Sequence, residues 1–205
     1  MLDKRYQVFV SSTYQDLQEE RQEVMKALLS LDCIPTGMEL FPASDEGSWD
    51  LIKRFSSECD YYIVIVGGRY GTVSSHGLSF TEMEYDYALE RQLPVLAFLH
   101  KDPSAIPSGK TEDKDQGKEA LDAFRKKIEK SRHANYWKSA TELAGSVALG
   151  MLNLKKLKPA IGWVRGDQVP DESSTEEILR LRREVERLLS SIVDLLLKQI
   201  GRAHV

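Results

Sequence analysis

The sequence carries little that would hold a fold together from outside. Cys33 and Cys59 are its only two cysteines in 205 residues, too few for a disulfide framework or a thiolate metal cage. Their neighbours are apolar and their spacing suits no metal, so they read as buried free thiols in a reducing compartment, with a disulfide as the alternative. The four histidines, His76, His100, His133 and His204, show no ligand spacing either, so no metal site is expected. No apolar run approaches the roughly 18 residues of a membrane span. The apolar run near the start, after Met1-Leu2-Asp3-Lys4-Arg5, is too short for a signal peptide. Charge of one sign is also lacking: 28 Lys+Arg against 32 Asp+Glu leave a net −4. That balance argues against direct, sequence-independent nucleic-acid binding, which needs a basic face. With 13 Gly and 7 Pro, collagen-like and low-complexity architectures are excluded as well. A cytoplasmic protein bound to neither membrane nor nucleic acid is expected.

What is present is a regular alternation. Tyr6–Val10 is short, β-branched and aromatic, and Ser11-Ser12-Thr13 follows it. From Tyr14 to Leu31 the positions Leu17, Val24, Leu28 and Leu31 recur at helical spacing. Ile34–Met38 reads as a second strand, and Trp49, Leu51, Ile52 and Phe55 mark a second helix. Tyr61–Val66 is the strongest strand, ended by Gly67-Gly68. A helix from Phe80 to about Arg91 and a strand Val95–Leu99 complete the series. Alternating strands and helices with near-continuous apolar strands predict an α/β fold: a doubly wound parallel sheet of about five strands. Beyond it, Lys101–Lys118 is a polar loop, Glu119–Lys130 a charged helix, 134–137 a short edge strand, and Ser139 caps a helix reaching Leu157. The expected division is an α/β domain over 1–158, a linker over 159–173 and an amphipathic helix over 174–200. In that helix Ile178, Leu181, Val185, Leu188, Ile192 and Leu195 keep a 3-4 alternation, about three heptads.

Ligands of doubly wound sheets sit outside the carboxyl ends of the strands, at the switch of strand order. Ser11 and Ser12 end the first strand and open a helix, where hydroxyls and N–H groups can hold an anion or a ribose. The plainer alternative is a cap, since Thr13-x-x-Asp16 resembles a capping box. Gly67, Gly68, Arg69 and Tyr70 end the third strand; glycines permit close backbone approach and Arg69 can pair with a phosphate or carboxylate. A plain turn with a surface arginine fits these residues equally. Glu82 and Glu84 open the third helix and are the candidate catalytic carboxylates, able to stabilise an oxocarbenium ion or act as nucleophile. Two positions apart, they cannot share one helix face, so one at most points into the cleft. Ser79-x-x-Glu82 also fits a capping box. No G-x-G-x-x-G is present, Gly109-Lys110-Thr111 lacks the first glycine of a Walker A loop, and Ser11 and Gly67 stand where a phospho-receiver needs acids.

The same strand-end segments carry a resemblance. VFVSSTYQDLQEER, GMELFPAS, IVIVGGRYGT, SFTEMEYDYAL and PVLAFLH, in that order, resemble the family catalogued as domain of unknown function four-zero-six-two. It is similar in turn to TIR-like and nucleoside-deoxyribosyltransferase-like folds. The resemblance spans roughly Arg5 to Lys101. It implies a module found at the N-terminus of larger signalling or defence proteins, ahead of NTPase or repeat modules. It also implies chemistry at an N-glycosidic bond: enzymatic TIR domains cleave nicotinamide from the ribose of NAD with a glutamate near the start of this helix. Deoxyribosyltransferases carry theirs in an E-L-G-Y-A context, which falls on Glu82 because Met83, Tyr85, Ala88 and Leu89 then match. Glu84 stands where those enzymes carry Gly, and Phe80-Thr81 where TIR enzymes carry Trp-Cys.

Nicotinamide leaves as a neutral heterocycle, so a carboxylate and groups that orient the phosphates suffice, with NAD as substrate and no cofactor. One expectation is therefore a nucleotide N-glycosidase, an NAD glycohydrolase activated by self-assembly through 174–200. Another is a non-catalytic signalling module that binds partners or a partner helix, and a third is a domain that senses a nucleotide without cleaving it.

Overall fold

The computed structural model describes residues 3–37, 53, 57–131, 134–169 and 172–203. The chain divides into two compact units, Lys4–Trp163 and Val164–Val205 with Met1–Asp3. Trp49, Leu51, Ile52 and Phe55, which mark the expected second helix, and Met38, the expected end of the second strand, lie outside the described residues; Lys53, between Ile52 and Phe55, is helical.

The larger unit is built on five strands: β1 (Tyr6–Ser12), β2 (Cys33–Thr36), β3 (Tyr61–Val66), β4 (Val95–His100) and β5 (Asn135–Trp137). They lie in the order β2-β1-β3-β4-β5, and every neighbouring pair is parallel. Its α-helices described along their length are α1 (Gln18–Ser30), α2 (Phe80–Glu90), α3 (Asp115–Ser131) and α4 (Ala140–Leu157). This is the doubly wound flavodoxin-like order, with the switch point between β1 and β3.

Strand periodicity decides what each face meets. Val8 and Val10 of β1 and Tyr61, Ile63 and Ile65 of β3 pack with Val24 and Leu28 of α1 and Leu143, Val147 and Met151 of α4. Phe9, Tyr62, Val64 and Val66 pack on the other face with Tyr85 and Ala88 of α2 and Phe124 and Ile128 of α3. All six residues of β3 are buried, as a parallel strand covered on both faces requires. Cys33 and Cys59 are buried free thiols, and burial pushes the Cys59 thiol up to about 12.

Strands β1 and β4 run on by two and one residues and β2 starts one residue earlier than the sequence reading has them, and two helix starts differ by four residues. Helix α1 starts at Gln18 rather than Tyr14; Leu17 is its N-cap, without a side-chain cap bond. The Thr13-x-x-Asp16 capping box is therefore not formed. Helix α3 starts at Asp115, four residues ahead of Glu119. The Ser139 cap is present, its hydroxyl accepting the Glu142 N–H at 3.2 Å.

The smaller unit contains α5 (Glu172–Ala203, 32 residues), about 48 Å long at 1.5 Å per residue. Ile178, Leu181, Val185, Leu188 and Ile192 are each about half exposed along it. No described helix of either unit is long and apolar enough to cross a membrane.

Candidate nucleotide cleft at the switch point

At the carboxyl ends of β1 and β3 lies a cleft of about 540 Å³, lined among others by Ser12, Thr13, Asp16, Arg69, Glu84 and Glu112. Sheet parity places its walls. Ser11 falls on the same face as Phe9, toward α2, and its hydroxyl donates to Glu84 Oε2 in a buried bond. Ser12 falls on the opposite face, toward α1, where Arg21 Nη1 donates to its Oγ at 2.6 Å and Arg21 Nη2 donates to the Val10 carbonyl at 3.2 Å. Arg21 is 4% exposed, so a buried guanidinium clamps the end of β1 and occupies the Ser12 hydroxyl.

The two candidate carboxylates part company on α2. Ser79 caps that helix through the Glu82 N–H at 3.2 Å. The Glu82 side chain leaves the cap for a separate cluster: it accepts from Tyr70 Oη at 2.7 Å and from Lys127 Nζ at 2.8 Å. Lys127 also donates to Asp86 at 2.8 Å. Burial opposes the Lys127 charge, but its bonds to Asp86 and Glu82 hold the ammonium above its usual range. Burial and the bond to Glu82 raise the Tyr70 phenol. Glu84, 4% exposed, is the one that lines the cleft. Beneath it the Tyr62 hydroxyl is fully buried and, among the described residues, has no hydrogen-bond partner in good geometry, although the Ser11 hydroxyl favours its charged form. Burial, and then the Glu84 charge, push that phenol far up.

The turn after β3 is held by a residue that sequence reasoning passed over. Glu112 Oε1 accepts the N–H groups of Tyr70 at 2.7 Å and Gly71 at 3.3 Å, and the Glu112 N–H donates to the Gly68 carbonyl at 2.9 Å. Gly68 is required by close approach: a Cβ there would stand 2.5 Å from the Lys110 carbonyl oxygen. Gly71 adopts φ +93°, which favours glycine. Gly67 backs onto Leu17 and Asp16. Arg69 donates through Nη2 to the Gly109 carbonyl at 2.9 Å, while its buried Nε has no partner among the described residues.

Of the residues singled out from sequence, Ser12, Arg69 and Glu84 thus line the cleft, and Ser11 holds Glu84 from below. Gly67, Gly68, Tyr70 and Glu82 shape the surrounding backbone and the α2–α3 contact. Asp16, Arg21, Glu112 and Lys127 were missed. Among the described residues no group of three or more His, Cys, Asp or Glu is placed to hold a metal ion.

A family model described as a domain of unknown function, DUF4062, matches residues 7–151. The chain belongs to this family. The matched DUF4062 segment contains every residue of the cleft and stops ahead of α5. No curated protein matches the chain. Similar solved structures include a diflavin flavoprotein A3 from Nostoc sp., 13% identical over 77% of this chain and 99% of that one, with a TM-score of 0.41. A short-chain flavodoxin associated with a non-canonical PDU bacterial microcompartment is 14% identical, over 74% of this chain and 98% of that one, with a TM-score of 0.34.

Proposed function

We propose that the switch-point cleft binds a nucleotide and hydrolyses its N-glycosidic bond, with NAD as the substrate. The observation that carries this reading is Glu84. A buried carboxylate, oriented by Ser11, borders a cleft that also contains a guanidinium with a free donor. In the reaction the C1′–N bond breaks and its electron pair leaves with neutral nicotinamide. Glu84 stabilises the cationic sugar; water adds to C1′ and gives up a proton to Glu84, leaving ADP-ribose. Arg69 supplies a cation for the pyrophosphate.

Glu82, which the resemblance selects, is engaged by Tyr70 and Lys127 instead. The test is an HPLC time course of NAD with wild type, Glu84→Gln and Glu82→Gln. Nicotinamide release that falls about a hundredfold or more with Glu84→Gln and persists with Glu82→Gln is expected. Loss with Glu82→Gln alone returns the role to that residue, and no release from assembled wild type ends the enzymatic reading.

A second reading, a signalling module that acts by assembly, is favoured by the half-exposed stripe of α5. Ile178, Val185 and Ile192 occupy one heptad position and Leu181 and Leu188 the other. β-Branched residues at the first and leucine at the second suit a parallel pair of helices. Glu177 and Arg182, five residues apart, would face each other across such a pair. The occupant is therefore a second copy of this chain. The two readings are compatible, since assembly can gate the cleft.

A further inference from the structure

Asp16 is 2% exposed, yet among the described residues neither of its carboxylate oxygens has a hydrogen-bond partner in good geometry; the Thr13 hydroxyl and the Asp16 N–H favour its charge without satisfying it. It does not cap α1, whose N-cap is Leu17 with no side-chain bond. It lines the same cleft as Thr13, Arg69 and Glu84. Two further buried polar atoms there lack a partner in good geometry among the described residues: Thr13 Oγ1 and Arg69 Nε. Buried polar atoms are nearly always satisfied in folded proteins, and four orphans on one cleft describe the complement of a ligand. The carboxylate asks for donors and the guanidinium for an acceptor.

A cation is the poorer match for Asp16. The positive charge of Arg69 acts on it, and the other two carboxylates of the wall are already engaged, Glu84 by the Ser11 hydroxyl and Glu112 by the Tyr70 and Gly71 N–H groups. Neutral donors remain, and two on adjacent carbons match two carboxylate oxygens.

We infer that Asp16 reads sugar hydroxyls: its carboxylate accepts from a ribose 2′,3′-diol while Arg69 takes the neighbouring phosphate, so the cleft selects ribonucleotides over 2′-deoxyribonucleotides. This rests on the nucleotide reading of the cleft and specifies its ligand.

The test is a thermodynamic cycle by calorimetry on the full chain. ADP-ribose and its analogues with either ribose 2′-deoxygenated are titrated into wild type and Asp16→Asn. A hydroxyl bonded to a buried carboxylate is worth roughly a 10- to 100-fold change in Kd. Wild type should lose that factor with one of the two analogues, and Asp16→Asn should bind ADP-ribose and that analogue almost alike. Equal discrimination by both proteins, or none by wild type, overturns the assignment while leaving the nucleotide cleft standing. If ADP-ribose binds neither protein, the nucleotide reading falls and takes the assignment with it. Circular dichroism of Asp16→Asn separates loss of contact from loss of fold, and Thr13→Val, at the adjacent orphan, repeats the cycle without touching the charge. A smaller drop in discrimination with that variant supports the assignment.

Discussion

The α/β unit and helix α5 use the same apolar residue types and treat them oppositely. In the former, Val8, Phe9, Tyr62, Val64 and Phe124 are each at most 2% exposed; in the latter, Leu181, Val185, Leu188 and Ile192 remain between 50% and 54% exposed. Both patterns are periodic, at two residues in the strands and about 3.5 in α5. The difference lies in where the partner surface is. Strand side chains find it within the chain, on α1 and α4 or on α2 and α3. In the proposed assembly the α5 stripe finds it on a second copy of this chain. Apolar content alone therefore does not locate a core; the test is what a substitution costs, and in which equilibrium.

The largest effect is expected in the body. Phe124 is 2% exposed and meets Tyr70 and Tyr85 edge-on at 6.4 and 5.7 Å. Phe124→Ala should lower unfolding free energy by about 3–5 kcal/mol, the range for removing a buried aromatic ring, read as a fall in the urea midpoint. A cost below about 1 kcal/mol would mean that the α2–α3 face is not packed as described.

On α5 the corresponding change should act on association. Leu181→Lys with Leu188→Lys places charge on the stripe and should convert an assembled species to monomer in sedimentation velocity, with the urea midpoint of the α/β unit nearly unchanged. If wild type is monomeric at all concentrations, the stripe serves some other partner and the contrast must be redrawn. If the double variant instead lowers the unfolding free energy by several kcal/mol, the stripe belongs to a folded core.

How much of this was legible beforehand follows from the range of the interactions. Strands and helices of the α/β unit are set by local periodicity, so β3 and α2 are found nearly to the residue. The heptads of α5 are equally local. The cleft is another matter. Helical geometry says that Glu82 and Glu84 diverge, but which one meets the sheet end depends on Tyr70 and on Lys127, 45 residues away. Ser11 and Ser12 were recognisable as a pair; their separate partners follow only once strand parity is known. In sequence Asp16 reads as half of a capping box, and that reading fails because α1 begins at Gln18. The usable signal was the apolar Leu17 directly after it, which pulls that turn inward. Glu112 left no mark: it sits in a polar loop, and its role comes from bonds to Tyr70 and Gly71 about forty residues away.

The smallest effect divides the body itself, between its satisfied core and its unsatisfied cleft. Burial raises the Asp16 pKa above the ordinary 3.8, so the folded state binds its proton more tightly than the unfolded state does. Arg69 and the Thr13 hydroxyl act against that rise, and Glu20 adds to it. With folded pKa above unfolded, Asp16 imposes no penalty below about 3.8, where both states are protonated. As pH rises through the folded value, the unfolded state gains by releasing the proton first, and wild-type stability falls. Asp16→Asn has no such proton, so its advantage over wild type should open across that window and stay constant at neutral pH. A buried carboxylate only partly compensated by Arg69 and Thr13 makes the expected gain of the order of 1 kcal/mol, measured from the urea unfolding of variant and wild type at a series of pH values. A difference independent of pH would show that Asp16 is solvated or paired in the folded protein, and would remove it from the orphaned set. A gain that opens with pH, and that vanishes when ADP-ribose saturates the wild type, is the signature of a cleft kept costly for its ligand.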